Sequence, residues 1–197
     1  LWESNFEIVH VNDDCVVRST FHSLSQHYDY DLIIEPKMSF GTGHHPTTLL
    51  ILQKMFSIDF NLKSVLDVGS GTGVLSILAS KLKAHSILAI DIDKWAQKNI
   101  SENLELNNIN NVEFINTDIF GVKKNTFDII LVNINRNIIL KELHYYVNML
   151  KNNSHILLSG FLLKDKNDIL NHTHNFGLKL FEFIKQDEWI LLHLIKD

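Results

Sequence analysis

The sequence predicts an α/β fold, a doubly wound and mostly parallel seven-stranded sheet ending in a C-terminal hairpin. From Ser64 onward, short apolar or β-branched runs alternate with helix-length amphipathic segments, the pattern of parallel strands joined by helical crossovers. After Phe176-Gly177 the pattern changes to two strand-like runs separated by the polar stretch Lys185 to Glu188, which reads as a hairpin with one strand antiparallel to the rest.

Each element follows from its residues. Extended segments are expected at Cys15 to Phe21 and Leu32 to Glu35, then an amphipathic helix opening at Pro46, a residue tolerated at the first helical position. The strands fall at Ser64 to Val68, Ser86 to Ile90, Val112 to Asn116, Phe127 to Val132 and Ser154 to Ser159. Helices begin near Val74, Lys94, Asn137 and Lys164, at spacings that suit right-handed crossovers. In the helix from Lys94, Ala96, Ile100 and Leu104 recur every four residues and make an apolar face, leaving Lys94, Lys98 and Glu102 to water. The hairpin strands are Leu178 to Ile184 and Trp189 to Ile195.

Composition bounds the function. The 197 residues carry 18 Lys+Arg against 23 Asp+Glu, a net charge of -5, with 45% hydrophobic residues, enough for one core that needs no disulfide or structural metal. Cys15 is the only cysteine, which excludes a disulfide-stapled secreted scaffold and reads as cytoplasmic. The longest apolar stretches are interrupted by Asp128, Asn133 and Ser159, well short of the roughly 20 residues of a membrane span, and no signal peptide is visible. A mildly acidic chain lacks the footprint of a nucleic-acid binder and suits a basic protein partner. The paired asparagines at 107–108, 110–111 and 152–153 read as compositional bias at turns. His172 and His174 stand two apart on an expected helix and do not share a face, so no metal site is expected.

The strongest local signal is Val65-Leu66-Asp67-Val68-Gly69-Ser70-Gly71-Thr72-Gly73, a strand running into a glycine-rich turn and then a helix. Such a turn is expected to bring bare backbone N–H groups close to a ligand at the helix N-terminus. The third glycine comes one residue earlier than in the dinucleotide pattern G-x-G-x-x-G. Asp67 would repel a pyrophosphate and could accept a hydrogen bond from the ammonium of S-adenosylmethionine, so a cationic sulfonium cofactor is favoured over a nicotinamide. The next strand ends in Asp91-Ile92-Asp93, where Asp91 is the candidate for holding ribose hydroxyls and Asp93 fits a helix cap. Asp118, after the third strand, is either a contact for the adenine amino group or a turn residue.

A longer signature precedes the turn: Phe40-Gly41-Thr42-Gly43-His44-His45-Pro46-Thr47-Thr48. With the glycine turn, Ile90-Asp91-Ile92-Asp93, Val132-Asn133-Ile134, Leu158-Ser159-Gly160 and Glu188-Trp189, it makes the chain resemble the class I S-adenosylmethionine-dependent methyltransferases. Within them it resembles the PrmA family, which methylates the eleventh protein of the large ribosomal subunit. The resemblance implies a Rossmann-like catalytic domain over 46–197 preceded by a linker and extension over 1–45. Leu1-Trp2-Glu3-Ser4-Asn5-Phe6-Glu7 resembles the region that follows an N-terminal substrate-recognition domain, which is expected to be missing.

The resemblance also implies cofactor contacts at Thr48, Gly69, Asp91 and Asn133, to which the readings of the turn and strand end add Gly71 and Asp118. The implied reaction moves methyl groups from S-adenosylmethionine to lysine or N-terminal amino groups of a large-subunit ribosomal protein, without direct nucleic-acid or membrane binding. The alternatives are a non-catalytic S-adenosylmethionine-binding module and a methyltransferase with another acceptor. No Asn-Pro-Pro-Tyr motif follows, since Asn133 leads into Ile134-Asn135-Arg136, which argues against nucleobase and glutamine acceptors. His44 stands where the family has Thr, and Asn135 where it tends to be apolar. No catalytic residue is assigned: His44 and His45 read as loop residues, Phe40, Asn133 and Trp189 are candidate pocket walls, and core packing is the first reading for Trp189 and Phe161.

Overall fold

The computed structural model describes residues 7–35, 40–123 and 125–197. The readings placed on Trp2, Phe6 and residues 36–39 lie outside them. A small sheet joins β1 (Val9–His10), β2 (Cys15–Arg18) and β3 (Tyr30–Ile33), with β1 antiparallel and β3 parallel to β2. The expected extension before Pro46 is thus partly folded, and its Val17, Leu32 and Ile34 join the same buried cluster as α1 (Pro46–Met55).

The main sheet has seven strands among the described residues: β4 (Ser64–Val68), β5 (Ser86–Asp91), β6 (Val112–Asn116), β7 (Phe127–Asn133), β8 (Leu150–Leu162), β9 (Leu178–Gln186) and β10 (Trp189–Lys196). They are ordered β6-β5-β4-β7-β8-β10-β9. The first five are parallel, and β10 runs antiparallel between β8 and β9. The order reverses beside β4, which opens a crevice at the carboxyl ends of β4 and β7.

Alternation along the strands builds two cores. Val65, Ile129, Leu131 and Leu157 pack on one face with α1 and α2 (Val74–Lys81), while Leu66, Ile130, Val132 and Leu158 pack on the other with α4 (Arg136–Met149) and α5 (Lys166–His174). A fifth helix, α3 (Lys94–Leu106), buries Ala96 and Ile100 as its period predicts. No helix among the described residues is long and apolar enough to cross a membrane.

Three expectations need correction. The strand expected from Ser154 begins at Leu150, directly after α4; its opening Lys151, Asn152 and Asn153 are exposed and lack the apolar alternation that betrays a strand. Helix α4 starts at Arg136 because Asn135 caps it, its Oδ1 accepting the Ile138 N–H at 3.2 Å. The asparagine bias also has a structural use at Asn107, whose buried side chain accepts the Ile33 N–H at 3.0 Å and donates to the Ile33 carbonyl at 2.6 Å. Asn103 likewise accepts the Glu35 N–H and donates to the Thr72 carbonyl, both at 2.9 Å, so α3 ties the end of the extended segment after β3 to the glycine turn.

Candidate functional site

The glycine turn leaves β4 at the sheet's reversal. Gly69 and Gly71 have φ of 70 and 52, the left-handed region that favours glycine. A Cβ on Gly71 would collide with the Phe40 carbonyl, and one on Gly69 with the Ile134 side chain.

The N–H groups of the turn are not bare, contrary to the expectation. Gly69 and Ser70 donate to the Ile90 carbonyl at 2.9 and 3.0 Å, Gly71 to Asp91 Oδ2 at 2.9 Å, and Thr72 to the Phe40 carbonyl at 2.9 Å. The glycines therefore serve close approach, not N–H donation to an anion.

A cavity of about 500 Å³ lies over this turn. Of the sequence-predicted residues it is lined by Gly69, Gly71, Asp91, Asp118 and Asn133, brought together from four strand ends. Asp91 also accepts the Asp93 N–H through Oδ1 at 2.8 Å, and Asp93 caps α3 as expected by accepting the Trp95 N–H at 2.9 Å. Asp118 caps the 3-10 turn over 119–121, accepting from Phe120 and Gly121, so it combines the turn role with a place on the cavity wall.

Thr48 lies behind the wall. It is 1% exposed, and its hydroxyl accepts the Asn133 Nδ2–H at 3.0 Å. The other amide atom, Asn133 Oδ1, is buried without a hydrogen-bond partner among the described residues.

Asp67 is also displaced from its expected place: it is fully buried beneath the turn, where Ser76 donates to its Oδ2 at 2.6 Å. Burial pushes its carboxyl up to about 7 against the Ser76 bond, with Asp91 adding repulsion.

A second cavity of about 280 Å³ adjoins the first. Phe40, Asn133, Ile134 and Asn135 line both. Its remaining walls include His45 and Trp189, whose rings meet edge to face with centroids 4.6 Å apart, while Phe40 lies 5.3 Å from His45. Core packing holds for Phe161, which is 2% exposed, but not for Trp189, which stands at this rim where the hairpin turns back beside the end of β8. His45 caps α1: its Nδ1 accepts the Thr47 N–H and lies 2.8 Å from the Thr47 hydroxyl, and burial lowers its pKa and favours the neutral ring. The imidazole thus positions a helix and walls a cavity, with Nδ1 already bonded to Thr47.

Sequence reasoning missed Glu142, which lines the large cavity from α4 at 6% exposure. Its only signal is an Ile138-Glu142 spacing of one helical turn behind Asn135. With four carboxylates, Asp91, Asp93, Asp118 and Glu142, against one lysine, Lys141, the lining fits a ligand that brings donors and positive charge. The turn and strand ends offer the acceptors Asp91, Asp118 and the orphaned Asn133 Oδ1 beside the Thr117 hydroxyl, Lys141 reaches the wall from α4, and the N–H groups of residues 69 to 72 are already used.

The family model described as ribosomal protein L11 methyltransferase (PrmA) matches residues 1–197. The chain is 38% identical over 197 residues to a Phocaeicola vulgatus protein named ribosomal protein L11 methyltransferase, covering 98% of this chain and 70% of that relative. A Porphyromonas gingivalis protein of the same name is 40% identical over 198 residues, covering 100% of this chain and 68% of its own. Among solved structures, a ribosomal protein L11 methylase from Lactobacillus delbrueckii subsp. bulgaricus superposes with a TM-score of 0.90 at 23% identity, covering 98% of this chain and 100% of that one. That likeness bears on the fold alone.

Proposed function

This chain belongs to the ribosomal protein L11 methyltransferase (PrmA) family and uses S-adenosylmethionine, and we propose that it methylates amino groups, on lysine or at the N-terminus, of ribosomal protein L11. One observation carries the reading: the aromatic cavity walled by Phe40, His45 and Trp189 opens from the cofactor cavity at Asn133 to Asn135.

The chain's residues divide the work. Gly69 and Gly71 would let the cofactor approach the turn; Asp91 would hold ribose hydroxyls, Asp118 would meet the base, and the Asn133 oxygen, oriented by Thr48, would accept from the ammonium end. When bound, the cofactor supplies a methyl group activated on a sulfonium. The aromatic cavity supports attack by a neutral amine, because its apolar walls disfavour the ammonium form of a group with a pKa of about 10.4. Neutral His45 adds no positive charge there. Aligning amine and methyl carbon in such a slot is worth about 7–11 kcal/mol of barrier, so no dedicated base is invoked. The net charge of -5 suits a basic ribosomal substrate.

The test is intact-mass and fragment-ion analysis of ribosomal protein L11 incubated with the chain and S-adenosylmethionine. Methyl increments on lysine or the N-terminal amine are expected. Their absence, with S-adenosylhomocysteine binding intact, would overturn the acceptor and leave the cofactor site standing.

A further inference from the structure

The large cavity has two distinguishable ends. Phe40, Asn133, Ile134 and Asn135 line both cavities and so mark the end at which the methyl group would meet its acceptor. Asp91, bonded to the glycine turn, marks the middle. The far end, between the 119–121 turn and α4, is where the base of the cofactor would lie, and Ile92, Ile119 and Ile138 give it the apolar walls that a flat ring needs.

Into this apolar end α4 brings one buried carboxyl. Glu142 is 6% exposed, and Tyr146, one turn further along and fully buried, donates its hydroxyl to Glu142 Oε2 at 2.5 Å. The other oxygen, Oε1, takes no hydrogen bond among the described residues, although Glu142 lines the cavity. Burial raises the carboxyl's pKa, as does repulsion from Asp118. Supporting Tyr146 needs one oxygen, which leaves the second as an acceptor open to the cavity that Glu142 lines.

We propose that Glu142 reads the base of the cofactor: Oε1 accepts a hydrogen bond from the exocyclic amino group of adenine, and Tyr146 holds the carboxyl in place. The inference rests on the S-adenosylmethionine reading of the cavity and adds a specificity residue to it. The partner chemistry is a six-amino purine, as opposed to a six-oxo one.

The experiment is isothermal titration of the wild-type chain and Glu142→Gln with S-adenosylhomocysteine and with S-inosylhomocysteine, in which a carbonyl oxygen replaces the amino group. In Glu142→Gln the Tyr146 hydroxyl retains the amide oxygen as its acceptor, which turns the amide NH2 toward the cavity and replaces an acceptor by a donor. The wild type is expected to favour the adenine ligand by about ten-fold or more, and Glu142→Gln to narrow or reverse that preference by about ten-fold. Equal affinity of the wild type for both ligands overturns the proposal, a comparison that stands even where the variant fails to fold. Unchanged preference in a folded Glu142→Gln also overturns it while the cofactor site survives. A wild type that binds neither ligand overturns the cofactor reading and this inference together.

Discussion

Asn133 and Thr48 are 85 positions apart in the chain, yet Asn133 Nδ2 donates to the Thr48 hydroxyl at 3.0 Å, joining the end of β7 to the first turn of α1. The bond fixes which way the amide points and leaves Oδ1, the orphaned acceptor, as the atom available to a ligand. Thr48→Val keeps the shape and removes the acceptor, stranding a buried donor at a cost of about 1–3 kcal/mol. S-adenosylhomocysteine affinity is expected to fall about ten-fold in Thr48→Val and further in Asn133→Ala, measured by calorimetry; wild-type affinity in Thr48→Val would reduce that threonine to a packing residue.

Gly71→Ala is expected to lose binding through the backbone. The residue sits at φ 52 with the Phe40 carbonyl against the position a Cβ would take. Strain of about 1–3 kcal/mol, plus displacement of the Phe40 segment from the cavity wall, should lower the melting temperature and abolish cofactor affinity together. Stability lost with affinity unchanged would show that the turn does not shape the site.

Asp67 and His193 impose opposite pH dependences on stability. Asp67 has its folded pKa raised to about 7, so the native state holds its proton more tightly than the unfolded chain does. Its contribution is complete below about pH 4 and is lost as pH rises through about 7. Asp67→Asn, which stays neutral, should therefore raise the melting temperature at pH 8 relative to pH 5; an equal change at both would show that Asp67 titrates normally.

His193 behaves in the reverse sense. Burial, then Lys54 and His155, push its pKa down to about 4, and its Nε2 meets His155 Nδ1 at 2.9 Å across β8 and β10. The stability it contributes is present above about pH 6.5 and is lost as pH falls through about 4, because the unfolded chain then binds the extra proton. His193→Gln should flatten the acid limb of a melting-temperature profile. An unchanged limb would place acid sensitivity elsewhere.

Trp189→Ala opens the aromatic cavity while leaving the glycine turn and Asp91 in place. The expected outcome is unaltered S-adenosylhomocysteine affinity with kcat/KM for the protein acceptor reduced at least about ten-fold. A matching loss of cofactor affinity would move Trp189 from acceptor wall to general packing.

Much of this was legible in the sequence where the cause is local. The glycine turn, Asp91 at the end of β5 and the Asp93 cap follow from a few adjacent residues, because turn geometry and capping act over one or two peptide units. The strand and helix order followed from apolar period, which each segment carries by itself. Asn107, Asp67 and Trp189 were misread for one reason: a side chain's surroundings come from segments far along the chain, and neither periodicity nor composition encodes them.

The sequence by itself determined that the chain is an α/β domain with a glycine turn and strand-end acids, since backbone sterics and hydrophobic alternation operate within short windows. Only the tertiary structure decided that Thr48 stands behind Asn133, that the N–H groups of the turn are already spent, and that Glu142 faces the cavity. Those facts depend on how α1 and α4 seat against the strand ends, and that seating is set by packing of the two cores across the whole sheet.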